Sequence, residues 1–310
     1  MRFSSVNRRG ALAAFGLLSA IWGTNFLFMQ AAAPYISAGQ TALLRLVFGA
    51  LPIIIFAAAT GSFSVRHLRF AHRFIPQAIL GAGLYYFAYA TGTFMLDSGI
   101  AGALSGSIPL FAAIGAVLVF RTEKLTAPKT AGLLLGAAGV VVIAQPWNAA
   151  SINAAGVLWM LLGSASLGLS YGYARRFITP LGIPAAAAAS YQTVLAAIGL
   201  ALFTDLEGIT NIARDPGALA SVVLGLGVMG TGVVFVLYYI IVASLGAVTA
   251  STASYIPPVF AMGIGIVFLG EDFDAAALAG VALILGAAAI MQIAQRRSEL
   301  SGRDGLLQKQ

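Results

Sequence analysis

Residues 107–125 read SIPLFAAIGAVLVFRTEKL and residues 255–273 read YIPPVFAMGIGIVFLGEDF; the two are versions of one segment. Pro109 falls on Pro257, Gly115 on Gly263, Phe120 on Phe268 and Glu123 on Glu271, all at one offset of 148 residues. Ala131-Gly132 meets Ala279-Gly280 at the same offset. Apolar helices rich in Ala and Gly resemble one another by composition, but the shared register of Pro, Gly and Glu favours a true repeat. The repeated unit is therefore about half of the 310-residue chain.

The sequence around the two copies identifies the solvent. Hydrophobic residues make up 60% of the chain and charged ones 9%, against roughly a quarter charged in a soluble domain, so the chain is solvated by lipid. Outer-membrane barrels alternate over segments of about ten residues, whereas these apolar runs are continuous and rich in Ala and Leu. The first spans Ala11 to Ala33, and others start near Gly39, Phe74, Gly99, Pro128, Ala154, Ile183, Gly217, Ala247 and Ala275. At about 20 residues per crossing this makes ten helices, with the softest boundary at Ser244-Leu245-Gly246. The first run follows Arg8 and Arg9 as a secretory signal would, but it is longer than a signal core and is read as an uncleaved crossing. Five crossings per repeat is an odd number, so the second copy enters from the opposite face. The expected fold is an all-α membrane protein of ten transmembrane helices in two inverted five-helix repeats (5+5). Residues 1–10 form a cytoplasmic N-terminus, 11–147 and 148–295 the two repeats, and 296–310 a disordered cytoplasmic tail.

Placing the N-terminus inside puts 15 of the 17 Lys and Arg residues on the cytoplasmic side, leaving only Arg214 outside and Arg45 within a helix. Both termini are thus expected in the cytoplasm of a bacterial inner membrane. The formal charge of +7 lies in short clusters between apolar runs, as in membrane loops, which argues against nucleic acid. The absence of cysteine excludes disulfides, Cys zinc sites and thiol chemistry. His67 and His72 lie five apart in a basic loop without partner carboxylates, and no phosphate-binding loop occurs. No metal, cofactor, ATP-driven step or enzyme activity is therefore expected. Inverted repeats are a plan of secondary transporters, because two similar halves of opposite orientation can exchange inward-open and outward-open shapes.

Trp22-Gly23-Thr24-Asn25-Phe26 in the first run, Arg45 in the second, the small-residue run around Pro109 followed by Glu123, and the matching run around Pro257 followed by Glu271 occur together. In this combination, and across nearly the whole chain, the sequence resembles the EamA branch of the drug/metabolite transporter superfamily. By aromatic content it is similar within that branch to the YddG-type amino-acid exporters. The resemblance implies ten helices in two inverted halves and a cargo among amino acids, vitamins, nucleobases and cationic drugs. The small multidrug-resistance relatives carry a membrane-embedded glutamate in their first helix; here that helix has Trp-Gly-Thr-Asn, which disfavours proton-for-drug antiport. The expected function is export of small metabolites, amino acids with aromatic or hydrophobic side chains first, by alternating access through facilitated diffusion or exchange. Proton-coupled efflux of organic cations, vitamins or nucleobases, and a lipid-handling membrane protein, are the alternatives. The expected partners are a small-molecule substrate and the lipid bilayer, and the chain is expected to be a monomer.

Tyr85 and Tyr89, four apart in the third run, project from one helix face with Gln77 and Gly81. They form either a cavity wall for a flat or apolar substrate or plain helix packing. Further wall candidates are Trp22 and Asn25 in the first run, Tyr171 and Tyr173 in the sixth, Tyr238 and Tyr239 in the eighth and Tyr255 in the ninth. Arg45 lies roughly 10 Å deep by helical rise, where a charge is costly. It either anchors a substrate carboxylate or phosphate or snorkels to the headgroups. Ser105 and Ser251, in matching small-residue stripes, offer polar contacts or close packing. Pro109, Pro257 and Pro258 each remove a backbone donor, which is expected to bend the helix as a hinge and turn an upstream carbonyl toward water or substrate. Gln40 either lines the same route or marks a helix entrance.

Overall fold

The structure, a computed structural model, describes residues 8–122, 126–145, 152–245, 253 and 256–307. Every regular element among them is helical: α1 (Arg8–Ala32), α2 (Ala38–Ala59), α3 (71–93), α4 (Ser98–Val119), α5 (Ala127–Ala144), α6 (Ala154–Leu181), α7 (Ala185–Phe203), α8 (Pro216–Ser244), α9 (Pro257–Leu269) and α10 (Ala275–Leu307). Seven of these (α1, α2, α4, α5, α6, α7 and α8) are long and apolar enough to cross a membrane; α9 and residues 275–291 of α10 are apolar but shorter. The hydropathy runs start within three residues of these helices, except that the run from Ala247 begins outside the described residues.

Local chemistry fixes the ends. At α2 the Ser37 hydroxyl accepts from the Gln40 amide and the Gln40 side chain accepts from the Ser37 amide, a reciprocal cap. Gln40 is thus a helix-entrance residue, and its Nε2 donates to the Asp205 and Glu207 carbonyls, both at 2.8 Å. The last helix differs from expectation. It continues to Leu307, so residues 296–307 are helical where a disordered tail was expected. The polar stretch QRRSEL is made largely of good helix formers, which continue a helix that the apolar part has already nucleated.

The neighbours form matched sets. α3 packs on α6 as α8 packs on α1, α4 on α6 as α9 on α1, and α2 on α8 as α7 on α3, while α5–α10, α2–α7 and α4–α9 pair directly. These most extensive contacts map onto one another when each helix is exchanged with the one five places away, while weaker ones such as α2–α3 and α1–α4 have no such counterpart among the described residues. The α5–α10 interface is the most extensive, and Gly139 and Gly280 bring the two backbones together there. A Cβ on Gly139 would lie 2.8 Å from the Gly280 carbonyl oxygen, and one on Gly280 2.9 Å from that of Gly139.

Two aspartates tie the connections at the end of the bundle away from the start of α1. Asp215 accepts from the Ala218 amide at 2.8 Å and from the Tyr35 hydroxyl at 3.1 Å. Asp274 accepts from the Ala277 amide at 2.7 Å and from Gln145 Nε2 at 2.6 Å. The backbone donors first, and these side chains second, hold both carboxyls below the usual aspartate value. A depressed carboxyl stabilises the fold above its unfolded pKa, and that contribution is lost as pH falls through the folded one. The melting temperature is therefore expected to drop as pH is lowered below about 4, and to drop less steeply in Asp215→Asn and Asp274→Asn. A parallel acid dependence in wild type and both variants would refute the assignment.

Candidate functional site

Trp22, Asn25, Phe26 and Met29 follow the i, i+3, i+4, i+7 spacing of one helix face, and that face of α1 looks into the middle of the bundle. There they line a small cavity of about 70 Å³ together with Arg45, Tyr85, Tyr89, Ser105, Tyr171 and Pro257. Trp22, Leu167 and Tyr171 also line a larger cavity of about 510 Å³, whose other walls include Tyr86, Gln192, Thr231, Phe235 and Tyr238. Ile53 and Tyr238 are in the last third of α2 and of α8, and Gln192 is in the first half of α7. The larger cavity therefore extends toward the end of the bundle where α1 begins.

Arg45 lines the smaller cavity, and its contacts Tyr86, Gly230 and Thr231 line the larger one. It is 3% exposed, so it does not snorkel. Its Nε donates to Thr231 Oγ1 at 3.0 Å and its Nη2 to the Gly230 carbonyl at 3.3 Å. With the Asn25 amide oriented to satisfy both of its ends, Nη2 also donates to the Asn25 side-chain oxygen at 3.1 Å while Asn25 donates to the Ile21 carbonyl. The guanidinium carbon lies 4.1 Å from the centroid of the Tyr86 ring. Gly230 and Thr231 belong to a π-helical stretch, Ser221–Val233, where the loosened ladder leaves a carbonyl free to face the arginine. Every one of these partners is neutral.

The aromatic wall is built on α3, just past a π-helical stretch at Ile79–Gly83. The Tyr85 and Tyr86 rings lie 4.6 Å apart, as do those of Tyr85 and Tyr89. Tyr89 is 1% exposed, and its hydroxyl is bonded to Ser164 Oγ at 2.9 Å. It offers the cavity ring surface and no polar edge.

Other expected residues part company with the site. Tyr173 does not reach the cavity: it is two residues from Tyr171, hence on another face of α6, and its hydroxyl donates to the Arg73 carbonyl at 3.1 Å. Tyr239 is 40% exposed and meets Phe56 edge-on at 5.5 Å. Ser251 and Tyr255 lie outside the described residues. The prolines are placed otherwise than as mid-helix hinges. α4 breaks at Gly106-Ser107, and Pro109 stands in the first turn of the rod that follows, where its missing donor costs little. Pro257 likewise stands in the first turn of α9, and Pro258 is buried near Gly106. Two carbonyls near the α4 break accept from serines: Gly102 from Ser105 Oγ at 2.5 Å and Leu104 from Ser107 Oγ at 2.7 Å. Ser105 thus lines the cavity with its proton already donated. Met29, Tyr86, Gln192 and Thr231 were not singled out from sequence; only Met29 had a signal, its register with Trp22 and Asn25.

At the other end of the bundle the connections are cross-tied. The Glu271 carboxylate accepts from the backbone amides of Ser98 at 2.7 Å and Gly99 at 2.9 Å, so the connection after α9 caps the start of α4. Gln30 Nε2 donates to the Leu96 carbonyl at 2.6 Å beside it. Asp97 is pushed above its usual value by burial and then by the like charge of Glu271. Glu271→Ala leaves two amides uncapped, at a cost of about 1–2 kcal/mol. A single cysteine at position 98 of this cysteine-free chain, in nanodiscs, is expected to react several-fold faster with a polar thiol reagent in that background; an unchanged rate would mean that the carboxylate is no latch.

Comparison with known proteins sets this bundle among relatives. A WAT1-related chloroplastic protein of Arabidopsis thaliana is 24% identical over 279 residues, covering 85% of this chain and 65% of its own length, just under two thirds. The uncharacterized transporter YdfC of Bacillus subtilis is 23% identical over 271 residues, 87% of each chain. The uncharacterized inner membrane transporter YedA of Escherichia coli is 25% identical over 182 residues, 58% of this chain and 56% of its own. A crystal structure at 21% identity covers 94% of this chain and all of its own with a TM-score of 0.58, a likeness of fold alone. The sequence model of the EamA-like transporter family matches twice in succession, over residues 9–145 and 154–293. With one match in each half, on an apolar helical bundle, the chain belongs to the EamA-like transporter family.

Proposed function

We propose that this membrane transporter exports amino acids, with aromatic and hydrophobic side chains preferred, by alternating access between two inverted five-helix repeats. The observation that carries the reading is Arg45, a buried guanidinium on an aromatic cavity wall whose partners among the described residues are all neutral. A charge held at low dielectric without a counterion attracts an anion strongly and repels a cation. A carboxylate at Arg45 leaves the rest of the solute in the 510 Å³ cavity against Trp22, Tyr86, Tyr171, Phe235 and Tyr238, a volume and lining suited to a small amphipathic molecule. Among the described residues no Asp or Glu lines either cavity, which favours facilitated diffusion or exchange over proton coupling.

Ten crossings in a 5+5 arrangement are supported by the 148-residue repeat, by the two successive family matches and by the way the most extensive helix contacts map onto one another. The repeats are taken as 11–147 and 148–295, and the distribution of basic residues among the loops favours both termini in the cytoplasm of a bacterial inner membrane. Asn25, Tyr85, Tyr89, Ser105 and Pro257 are among the other wall residues.

The test is uptake of radiolabelled phenylalanine, tryptophan and threonine and of a cationic dye into proteoliposomes, with and without imposed proton and voltage gradients. Saturable phenylalanine and tryptophan flux without a gradient, weaker threonine flux and no dye flux are expected. Flux of the dye alone, or flux only under a pH gradient, would overturn the proposal.

A further inference from the structure

A third cavity lies apart from the solute site, in the crevice between α2, the connection after it, α3 and α7. It holds about 290 Å³ and is walled chiefly by Ile54, Phe63, Leu68, Phe74, Val194 and Leu195. His67 and Tyr191 complete the wall, joined by a hydrogen bond of 3.0 Å between Nδ1 and the hydroxyl. Tyr191 also meets Phe74 edge-on at 5.4 Å, so the pair is fixed by packing on both sides.

The segment that roofs this crevice is a 3₁₀ turn, Val65–Phe70, with the sequence VRHLRF. Val65 is 83% exposed and Leu68 69%, so apolar and basic side chains alternate along a segment at the end of the bundle, the pattern of an interfacial anchor. Arg66, Arg69 and Arg73 fall within eight residues, and no Asp or Glu occurs before Asp97. The guanidinium carbons of Arg69 and Arg73 lie 4.4 and 5.8 Å from the centroid of one ring, Phe70, which brings the two within about 10 Å of each other. None of the three arginines is paired with a carboxylate among the described residues.

We propose that this crevice and its arginine rim form a binding site for an anionic phospholipid, with an acyl chain between α2, α3 and α7 and the phosphate on the arginines. Each half of the site is insufficient alone: a zwitterionic lipid brings with its phosphate an ammonium that the unpaired arginines repel, and a soluble anion has no use for the apolar crevice. A bilayer lipid of net negative charge satisfies both. The site is distinct from the solute cavity, and its occupancy does not depend on which solute is carried.

The full-length protein, delipidated in detergent and titrated with phosphatidylglycerol, is to be followed by native mass spectrometry. One tightly held phosphatidylglycerol per chain is expected, with phosphatidylcholine bound about a hundredfold more weakly, since each juxtamembrane arginine contributes about fivefold. Arg66→Ala/Arg69→Ala/Arg73→Ala is expected to lower phosphatidylglycerol binding to the phosphatidylcholine level, and Val194→Trp, which fills the crevice, to expel both lipids. Should the triple variant not fold, Leu68→Glu puts a repelling carboxylate at the exposed rim and makes the same comparison. Equal binding of the two lipids by wild type, retention of phosphatidylglycerol by the rim and crevice variants, or its displacement by millimolar inorganic phosphate would each overturn the proposal.

Discussion

Vesicles carrying Arg45→Ala are expected to take up phenylalanine with a KM ten- to a hundredfold above wild type. A hydrogen bond to a charged group is worth about 1.5–3 kcal/mol, and the alanine removes the one cation on the cavity wall among the described residues. Arg45→Lys should fall between the two. It keeps the charge, but an ammonium cannot reproduce the planar fork that reaches Thr231, Gly230 and Asn25 while lying on Tyr86. Thermal stability separates this role from a structural one. A buried charge without a counterion contributes little to the fold, so its removal should leave the melting temperature unchanged or raise it. Wild-type KM in Arg45→Ala, or a large loss of stability with no change in KM, would remove Arg45 from the site.

Gly139→Ala and Gly280→Ala should each lower stability by about 1–3 kcal/mol, seen as a fall of several degrees in the melting temperature of the detergent-solubilised protein. A Cβ at Gly139 meets the Gly280 carbonyl oxygen at 2.8 Å and the Ile284 amide nitrogen at 3.0 Å. At Gly280 the neighbours are the Gly139 carbonyl oxygen at 2.9 Å and the Ile143 amide nitrogen at 3.0 Å. These are backbone atoms of two helices in their most extensive contact, so relief requires the helices to separate, and lost packing is what holds apolar helices together in lipid. Gly16→Ala and Gly199→Ala are the controls. Among the described residues nothing lies within 4 Å of a Cβ at either position, and alanine there should be neutral or stabilise by about 0.4–1 kcal/mol. Equal effects at all four glycines would show that close approach of α5 and α10 is not what these residues provide.

Much of the frame was legible because lipid solvation writes itself into composition. An apolar run of membrane-spanning length needs no partner to be recognised, which is why the helix starts near Ala38, Ser98, Ala127, Ala154 and Ala275 agree with hydropathy to within a residue. The site was legible only in part. Trp22, Asn25, Arg45, Tyr85, Tyr89, Ser105, Tyr171 and Pro257 do meet around one cavity, but what each offers it depends on neighbours from other helices. Tyr89 has its hydroxyl bound by Ser164, 75 residues away, and Ser105 has its own bound by the Gly102 carbonyl. Tyr173 was misplaced because a tyrosine two positions along a helix shares no face with the first. Helix phase is also shifted by the π-helical stretches at Ile79–Gly83 and Ser221–Val233, which a 3.6-residue period does not anticipate.

The sequence by itself determined the solvent, the apolar helices, the 148-residue repeat and the one deeply placed cation, since each is a property of residue type and spacing along a single chain. The tertiary structure decided which way Arg45 points, that its described partners are neutral, that the Tyr89 hydroxyl is bonded to Ser164 and that Glu271 caps the start of α4. Those outcomes turn on contacts between residues up to 186 positions apart. They are fixed only when separate helices pack, because a hydrogen bond takes its partner from distance and direction in space and not from order along the chain.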